Sequence, residues 1–232
     1  MDFVIVWCYN TETKNINAFL VETTTPGYEA EIMLQKVGAR SMQNADIKLN
    51  NVKVHESQRL KIDGNFRDTV ETIFIPSRLL VAWVATGLTV GCYDHIIDYM
   101  HERKQFGASI DSFQLGQERL SRIMGGIQAM LLMCYRVTQL AVEGKATVGV
   151  VSLLKAWTTK QAKEIASLAR ECIGGHGILY QSFVMKAMMD LEAVDCVEGT
   201  YDINALICGK DLTGISAFRP AKPRKKRRRK KQ

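Results

Sequence analysis

The stretch ETIFIPSRLLVAWVATGLTVGCYDHIIDY, residues 71–99, has apolar side chains at three- and four-residue spacing along its whole length. This spacing places them on one face of an α-helix. It predicts a helix of about 35 residues, about 50 Å long. Pro76 predicts either a kink or a helix that begins nearer Ser77. The predicted stripe comprises Val70, Ile73, Phe74, Ser77, Leu80, Val81, Val84, Leu88, Cys92, Ile96 and Tyr99.

Similar patterns predict four more helices after this one. A second begins near Asp111 or Ser112, with apolar positions from Leu115 to Val137. A third starts near Thr147 and stops at Gly174-Gly175, and two shorter ones cover about 182–190 and 201–213. Long helices joined by short connections pack as antiparallel neighbours. We therefore expect a mainly α protein, with an antiparallel helical bundle over residues 61–218.

The first 60 residues have the pattern of strands instead. FVIVW, INAFLVE and ADIKLNNVKV carry apolar residues at the short spacing of strands, with turn residues at Asn10-Thr11 and Pro26-Gly27. A few strands without an opposing layer leave an apolar face and open edges in water. Residues 1–60 are therefore expected to be part of a larger β-domain.

The positive charge of the chain lies at its end. The net charge is +7, but residues 222–231 alone carry nine positive side chains, which leaves −2 for the rest. Such a segment cannot bury apolar surface, so residues 219–232 are predicted to be a disordered polybasic tail. A tail of this kind binds nucleic acid or acidic partners through charge alone.

The sequence predicts neither a membrane protein nor a metal site. No apolar run reaches the length of a membrane span and the N-terminus does not resemble a signal peptide, so a membrane protein is not expected. No metal site is expected either, because the four histidines and six cysteines show no ligand spacing. The scattered cysteines also indicate a reducing compartment; they are Cys8, Cys92, Cys134, Cys172, Cys196 and Cys208.

Four motifs in order give the helical part a family likeness. They are R-K-Q-F-G at 103–107, F-Q-L at 113–115, G-G-H-G-I at 174–178 and E-G-T-Y-D-I at 198–203. Together they resemble the acyl-CoA dehydrogenase and oxidase flavoproteins, and especially the glutaryl-CoA dehydrogenases and the short-chain acyl-CoA oxidases of peroxisomes. The K-V-G-A-R segment and the strand after it resemble the end of the middle β-domain of that family. The likeness runs from Asp2 to about Pro220, without the N-terminal half of the family.

The resemblance implies FAD-dependent α,β-oxidation of an acyl-CoA thioester to trans-2-enoyl-CoA. Glu198 matches the base that removes the α-proton, although an acid there also suits the first turn of a helix. Gly199 matches a glycine that leaves room for the substrate. Arg78 takes the place of a substrate-contacting arginine, but its segment F-I-P-S-R departs from the family pattern.

The same resemblance implies an FAD site. Arg103 matches an arginine at the pyrophosphate, although it also suits a helix C-terminus, and Phe106 also suits a core aromatic. In the family these residues serve the flavin of a neighbouring chain, so a homo-oligomer, a dimer or a tetramer, is implied. The residues that match FAD contacts are Arg103, Phe106, Gln114, Gly174, Gly175, His176, Gly177, Ile178, Thr200 and Asp202.

Two details favour the oxidases within the family. Tyr201 and Asn204 stand where glutaryl-CoA dehydrogenases tend to have histidines. Peroxisomal residence follows from that likeness, although the chain ends in Lys-Lys-Gln and not in a Ser-Lys-Leu type signal. The mitochondrial matrix and the cytoplasm are the alternatives. A different class of function also stays open: a non-catalytic helical assembly module whose tail binds acidic partners or nucleic acid.

Overall fold

Five helices form most of the part of the protein that the structure describes, as the sequence predicts. The computed structural model describes residues 2–61 and 66–216, with side chains in the first helix described from residue 71 onward. The polybasic tail predicted at 219–232 therefore lies outside the described residues. The helices are α1 (Phe66–Glu102), α2 (Gln114–Val142), α3 (Val148–Cys172), α4 (Phe183–Cys196) and α5 (Tyr201–Thr213).

Local signals set the helix ends. The Thr147 hydroxyl accepts a hydrogen bond from the Val150 N–H at 3.1 Å and caps α3, which confirms the predicted start. After α3 the chain forms a short 3₁₀ helix, Gly174–Ile178, at the predicted stop. The second helix starts at Gln114, later than predicted, because Ile110–Ser112 form a 3₁₀ turn before it.

The first helix differs from its prediction in two ways. It runs through Pro76 from Phe66, so a start near Ser77 is wrong. Its buried face is also displaced from the predicted stripe between residues 80 and 85: Leu80 and Val84 are exposed, whereas Ala82 and Ala85 are fully buried. Farther along, Cys92 and Ile96 of the stripe are fully buried, as predicted. Small side chains at a contact let two helices approach closely, so the larger side chains lie outside it.

The core lies around α3, which packs against the other four helices. Its larger cluster includes Ile96, Ile123, Met130, Ile165 and Leu191, all nearly or fully buried. A smaller cluster surrounds Leu154 between α1, α2 and α3; its other buried members are Ala82, Cys134, Val137 and Val151. Burial of these side chains removes apolar surface from water and is the main source of stability of the bundle.

The apolar character of α1 corrects one sequence expectation. Residues Glu71–Glu102 are long and apolar enough to cross a membrane by length and composition, although no such run was expected. A helix in the core of a bundle passes the same test. In this structure α1 packs along α2, α3 and α4.

The N-terminal part forms two separate antiparallel hairpins. Strand β1 (Phe3–Tyr9) pairs with β2 (Ile16–Glu22), and β3 (Tyr28–Ile32) pairs with β4 (Ala45–Leu49). A third, very short hairpin joins β5 (Lys104–Gln105) to β6 (Ala108–Ser109) after α1. The large apolar side chains on one face of β1 are exposed, as expected for strands without an opposing layer; they are Phe3, Ile5, Trp7 and Tyr9.

The loop between β3 and β4 fixes the N-terminal part to the bundle. The Ala39 N–H donates to Asp190 Oδ1 of α4 at 2.8 Å, and the Arg40 guanidinium donates to the Tyr180 hydroxyl. A side chain at Gly38 would place its Cβ 1.9 Å from the Met189 carbonyl oxygen. The K-V-G-A-R motif therefore fits closely against α4, and glycine is required at this approach.

Candidate active site

The turn between α4 and α5 carries Glu198 in a strained backbone conformation. Helix α4 ends at Cys196, α5 begins at Tyr201, and Glu198 and Gly199 between them have φ angles of 58° and 95°. Glycine adopts such angles freely, but another residue in the left-handed region costs about 1–2 kcal/mol. Contacts around the turn must therefore stabilise the conformation of Glu198.

Three buried donors bind the carbonyl oxygens of this turn. Arg78 Nε donates to the Glu198 carbonyl at 3.1 Å. Lys155 Nζ donates to the carbonyls of Asp195 and Gly199 at 2.7 and 2.8 Å. Asn204 Nδ2 donates to the Gly199 carbonyl at 2.8 Å. All three donor side chains are at most 3% exposed, so the turn rests on two cations and an amide that are shielded from water.

The carboxylate of Glu198 lies on the outer side of the same turn. It is half-buried, and its Oε2 accepts a hydrogen bond from Ser77 Oγ at 2.9 Å. Ser77 precedes Arg78 in α1, so this helix holds both the side chain and the backbone of Glu198. A carboxylate has about four acceptor positions, and one hydrogen bond leaves capacity for a proton. The geometry therefore suits a general base.

Arg78 lies inside the bundle beneath the turn. Its Nη1 donates to Ser152 Oγ at 2.9 Å, and its guanidinium lies 4.5 Å from the centre of the Phe74 ring. Burial lowers the pKa of Arg78, while the Glu198 carboxylate opposes that shift. The contacts show that Arg78 supports the Glu198 backbone. Its predicted contact with a substrate stays a prediction.

Lys155 and Asn204 belong to this site, although the sequence did not predict them as site residues. Lys155 follows Leu154 on the buried side of α3 and is fully buried. A lysine is almost never fully buried without partners. Its position among the apolar residues Val151, Leu154 and Ala156 could therefore have indicated from the sequence that Lys155 has buried partners. Burial lowers the pKa of the Lys155 ammonium, and the neighbouring Asp195 carboxylate opposes that effect.

Most of the residues predicted to contact FAD lie elsewhere, around the C-terminal end of α1. Arg103 follows α1, Gln114 opens α2, and the Tyr99 ring at the end of α1 lies 5.3 Å from the ring of His176. Phe106 is 96% exposed at a φ of 52°, so the alternative of a core aromatic is wrong. The 3₁₀ segment Gly174–Ile178 is exposed except for Gly177.

The two groups of residues are far apart within one chain. From Ser77, which contacts Glu198, to Arg103 is 26 residues, or about 39 Å along the axis of α1. Thr200 and Asp202, which also match FAD contacts, are exposed and lie beside Glu198, far from Arg103. One chain therefore does not bring Arg103 and Glu198 to a common site.

An open groove that no sequence pattern indicated lies beside the Glu198 turn. The Lys160 ammonium lies 4.9 Å from the centre of the Tyr201 ring. Lys163 pairs with Glu192 at 2.7 Å. The groove is lined by Lys160, Lys163, Glu164, Asp195 and Tyr201. Within the described residues, no three His, Cys, Asp or Glu side chains are grouped as metal ligands.

Comparisons with known proteins agree with the motifs. The family described as "Acyl-CoA dehydrogenase, C-terminal domain" matches residues 66–213. The mitochondrial 2-methylacyl-CoA dehydrogenase of Solanum tuberosum is 26% identical over 86% of this chain and 48% of its own length. A crystal structure of glutaryl-CoA dehydrogenase from Mycobacterium smegmatis has a TM-score of 0.88 and 30% identity, covering 94% of this chain and 56% of that one. A structure of a glutaryl-CoA dehydrogenase from the same organism, in complex with FADH2, covers the same shares at 27% identity and a TM-score of 0.88.

These comparisons do not support the preference for peroxisomal oxidases. The relatives named above are dehydrogenases, and the potato enzyme is named as mitochondrial. The oxidase subgroup inferred from Tyr201 and Asn204 is therefore not confirmed. The chain spans about half the length of the relatives it matches. Its match over residues 66–213 shows that the chain belongs to the acyl-CoA dehydrogenase family through the C-terminal domain of that family.

Proposed function

We propose that Glu198 is the general base of an FAD-dependent dehydrogenation of an acyl-CoA thioester to its trans-2-enoyl product. The observation that carries this proposal is the Glu198 turn, where a non-glycine residue is kept at a φ of 58° with its half-buried carboxylate bound by Ser77. Backbone strain of this kind is concentrated at functional sites. The likeness to acyl-CoA dehydrogenases supports the same assignment.

The residues of this chain do the following in the proposed reaction. Glu198 accepts the α-proton of the thioester at its carboxylate, and Ser77 orients that carboxylate through its hydroxyl. Arg78 holds the carbonyl of Glu198, so the side chain keeps its direction while the proton moves. An apolar acyl chain over the turn excludes water, which favours the protonated form of a carboxylate and so aids proton transfer.

The exposed residues near the C-terminal end of α1 fit an FAD phosphate group. Arg103 is exposed and forms no ion pair within residues 2–61 and 66–216, so its guanidinium is available to a phosphate. A Cβ built on Gly174 or Gly175 meets no atom within 4 Å, so a ligand can approach the backbone there. When bound, FAD supplies the acceptor for the β-hydrogen, which leaves as hydride.

The position of these residues supports a composite site in a homo-oligomer. Because Arg103 lies about 39 Å from the level of Glu198 along α1, it serves a flavin at the Glu198 site of another chain. We propose the dehydrogenase type of reaction and the mitochondrial alternative for its location, since the potato relative is a mitochondrial dehydrogenase. The non-catalytic alternative, binding through the tail, concerns residues outside the described range.

Flavin binding tests the proposal first. The chain is titrated with FAD, and a bound-flavin absorbance with quenched flavin fluorescence is expected. Arg103→Ala should weaken FAD binding because it removes a bidentate partner of the phosphates. Arg122→Ala is the matched control, since Arg122 is exposed on α2 and pairs only weakly with Glu118 at 3.6 Å. No bound flavin with the intact chain would refute the enzymatic reading.

Proton abstraction is tested in a second experiment. The chain, alone and fused to the N-terminal half of a related dehydrogenase, is mixed with FAD and acyl-CoA, and flavin reduction is followed by absorbance. Glu198→Gln should lower the rate by at least about 100-fold and leave FAD bound, because only the proton-accepting oxygen is lost. Glu118→Gln, a change of the same kind on the exposed face of α2, should reduce flavin at the wild-type rate. Equal rates for the two variants would place the base elsewhere.

A further inference from the structure

We propose that Lys155 is a positioning residue that keeps the Glu198 carboxylate in its reactive direction by binding the backbone on both sides of it. The inference rests on the proposed role of Glu198 as the base. Lys155 itself does not reach a substrate, since its side chain is fully buried beneath the turn.

The two acceptors of Lys155 bracket Glu198 in the chain. Asp195, in the last turn of α4, gives its carbonyl at 2.7 Å, and Gly199, directly after Glu198, gives its carbonyl at 2.8 Å. A single ammonium thus ties the end of α4 to the far side of the turn. The peptide between Glu198 and the next residues cannot rotate without breaking one of these hydrogen bonds.

The Asp195 carboxylate, which acts electrostatically on Lys155, is engaged with other groups. Asp195 Oδ1 accepts a hydrogen bond from Thr159 Oγ1 at 2.8 Å, and its Oδ2 lies 3.6 Å from Lys163 Nζ. The contacts of Lys155 are therefore with main-chain oxygens, and this distinguishes it from a buried ion pair. Burial of an ammonium destabilises a fold unless the ammonium is well paired. A buried lysine that binds main-chain acceptors here therefore indicates that the turn needs this ammonium.

Loss of the ammonium releases the strained turn. The left-handed conformation of Glu198 is unfavourable without its contacts. Arg78 still binds the Glu198 carbonyl and Asn204 still binds the Gly199 carbonyl, but neither of them binds the Asp195 carbonyl, so the link between the end of α4 and the turn is lost. The backbone of Glu198 then returns toward ordinary φ values, which turns its side chain away from Ser77. The fold of the bundle does not depend on this direction, whereas proton abstraction does.

The test compares Lys155→Met with Lys145→Met in the full chain. Lys145 is an exposed lysine between α2 and α3 that pairs with Glu143, so its variant removes the same charge away from the site. Carbonyl ¹³C shifts of labelled glycine and the H^N–Hα coupling of Glu198 report the Gly199 hydrogen bond and the φ of Glu198. Lys155→Met should change both signals and Lys145→Met neither. Unchanged signals in folded Lys155→Met overturn the proposal.

Kinetics separate positioning from a general loss of structure. In the flavin-reduction assay, Lys155→Met should lower the limiting rate by about 10- to 100-fold. The acyl-CoA concentration at half-maximal rate and the FAD affinity should stay at wild-type values. A rise in that concentration with an unchanged limiting rate overturns the proposal. If circular dichroism shows that Lys155→Met is unfolded, Lys155→Gln, which keeps an NH2 donor group without the charge, takes its place with the same two readouts. Wild-type chain that reduces no flavin with acyl-CoA refutes the proposed function, and the spectroscopic comparison still decides the role of Lys155.

Discussion

Replacement of Arg78 by methionine is expected to destabilise the protein by about 2 kcal/mol. The change removes the hydrogen bonds to the Glu198 carbonyl and to Ser152 Oγ, each of which contributes about 1–1.5 kcal/mol. It also removes a buried positive charge, whose burial lowers the pKa of Arg78, and this gain offsets part of the loss. Loss of the contact with the Phe74 ring adds about 0.5–1 kcal/mol. For a protein of this size the net loss lowers the melting temperature by about 4–8 °C.

Differential scanning calorimetry measures this shift, with Arg119→Met as the control. Arg119 forms an ion pair with Glu171 at 3.2 Å, but the two side chains are 32% and 41% exposed. Such a pair contributes about 0–1 kcal/mol, so this variant should melt within about 3 °C of the wild type. If Arg78→Met melts within about 1 °C of the wild type, the guanidinium does not hold the turn in the manner described.

Three further predictions concern other parts of the chain. Burial lowers the pKa of Lys155 from 10.5, so the folded protein loses this proton at a lower pH than the unfolded chain does. The stability of the wild type relative to Lys155→Met should therefore rise with pH in the window just below 10.5. Thermal melts of both proteins at about pH 7 and pH 10 measure this change. The two exposed thiols, Cys8 and Cys196, should react with iodoacetamide at about pH 8 in the native chain. The four buried thiols should react only after unfolding, and burial raises the pKa of one of them, Cys92, to about 12. Mass spectrometry counts the labels. Gly38→Ala should lower the free energy of unfolding by about 1–3 kcal/mol and expose Asp190 of α4, because its Cβ would clash with the α4 backbone. Urea unfolding measures the loss. Gly125→Ala is the control, since a Cβ at Gly125 meets no atom within 4 Å.

The helices were predictable because their signals are local. Apolar spacing and the cap at Thr147 depend on residues within a few turns, and α1 to α5 appear close to the expected ranges. The buried face of α1 was not predictable in the same way. Leu80 is more apolar than Ala82, yet Ala82 is buried, because the close approach of α1 and α3 selects small side chains. That approach is a property of the pair of helices and not of either sequence alone.

The candidate site shows the same division between local and tertiary information. The motif around Glu198 is continuous in the sequence and indicates the base directly. Lys155 lies 43 positions earlier and acts on backbone carbonyls, which carry no residue-specific signal. Ser77 was assigned to the apolar stripe of α1, but its hydroxyl donates to the Glu198 carboxylate, which lies 121 positions later in the sequence. Only the packing of α1 and α3 against the turn brings these donors together.

The distance of about 39 Å between Arg103 and the level of Glu198 has a genetic consequence if the composite site is correct. Two defective alleles, Glu198→Gln and Arg103→Ala, should complement each other when both are expressed in one cell. Half of randomly mixed dimers contain one chain of each kind, and one of the two sites in such a dimer combines the intact Glu198 of one chain with the intact Arg103 of the other. About a quarter of all sites then regain function, whereas either allele alone regains none.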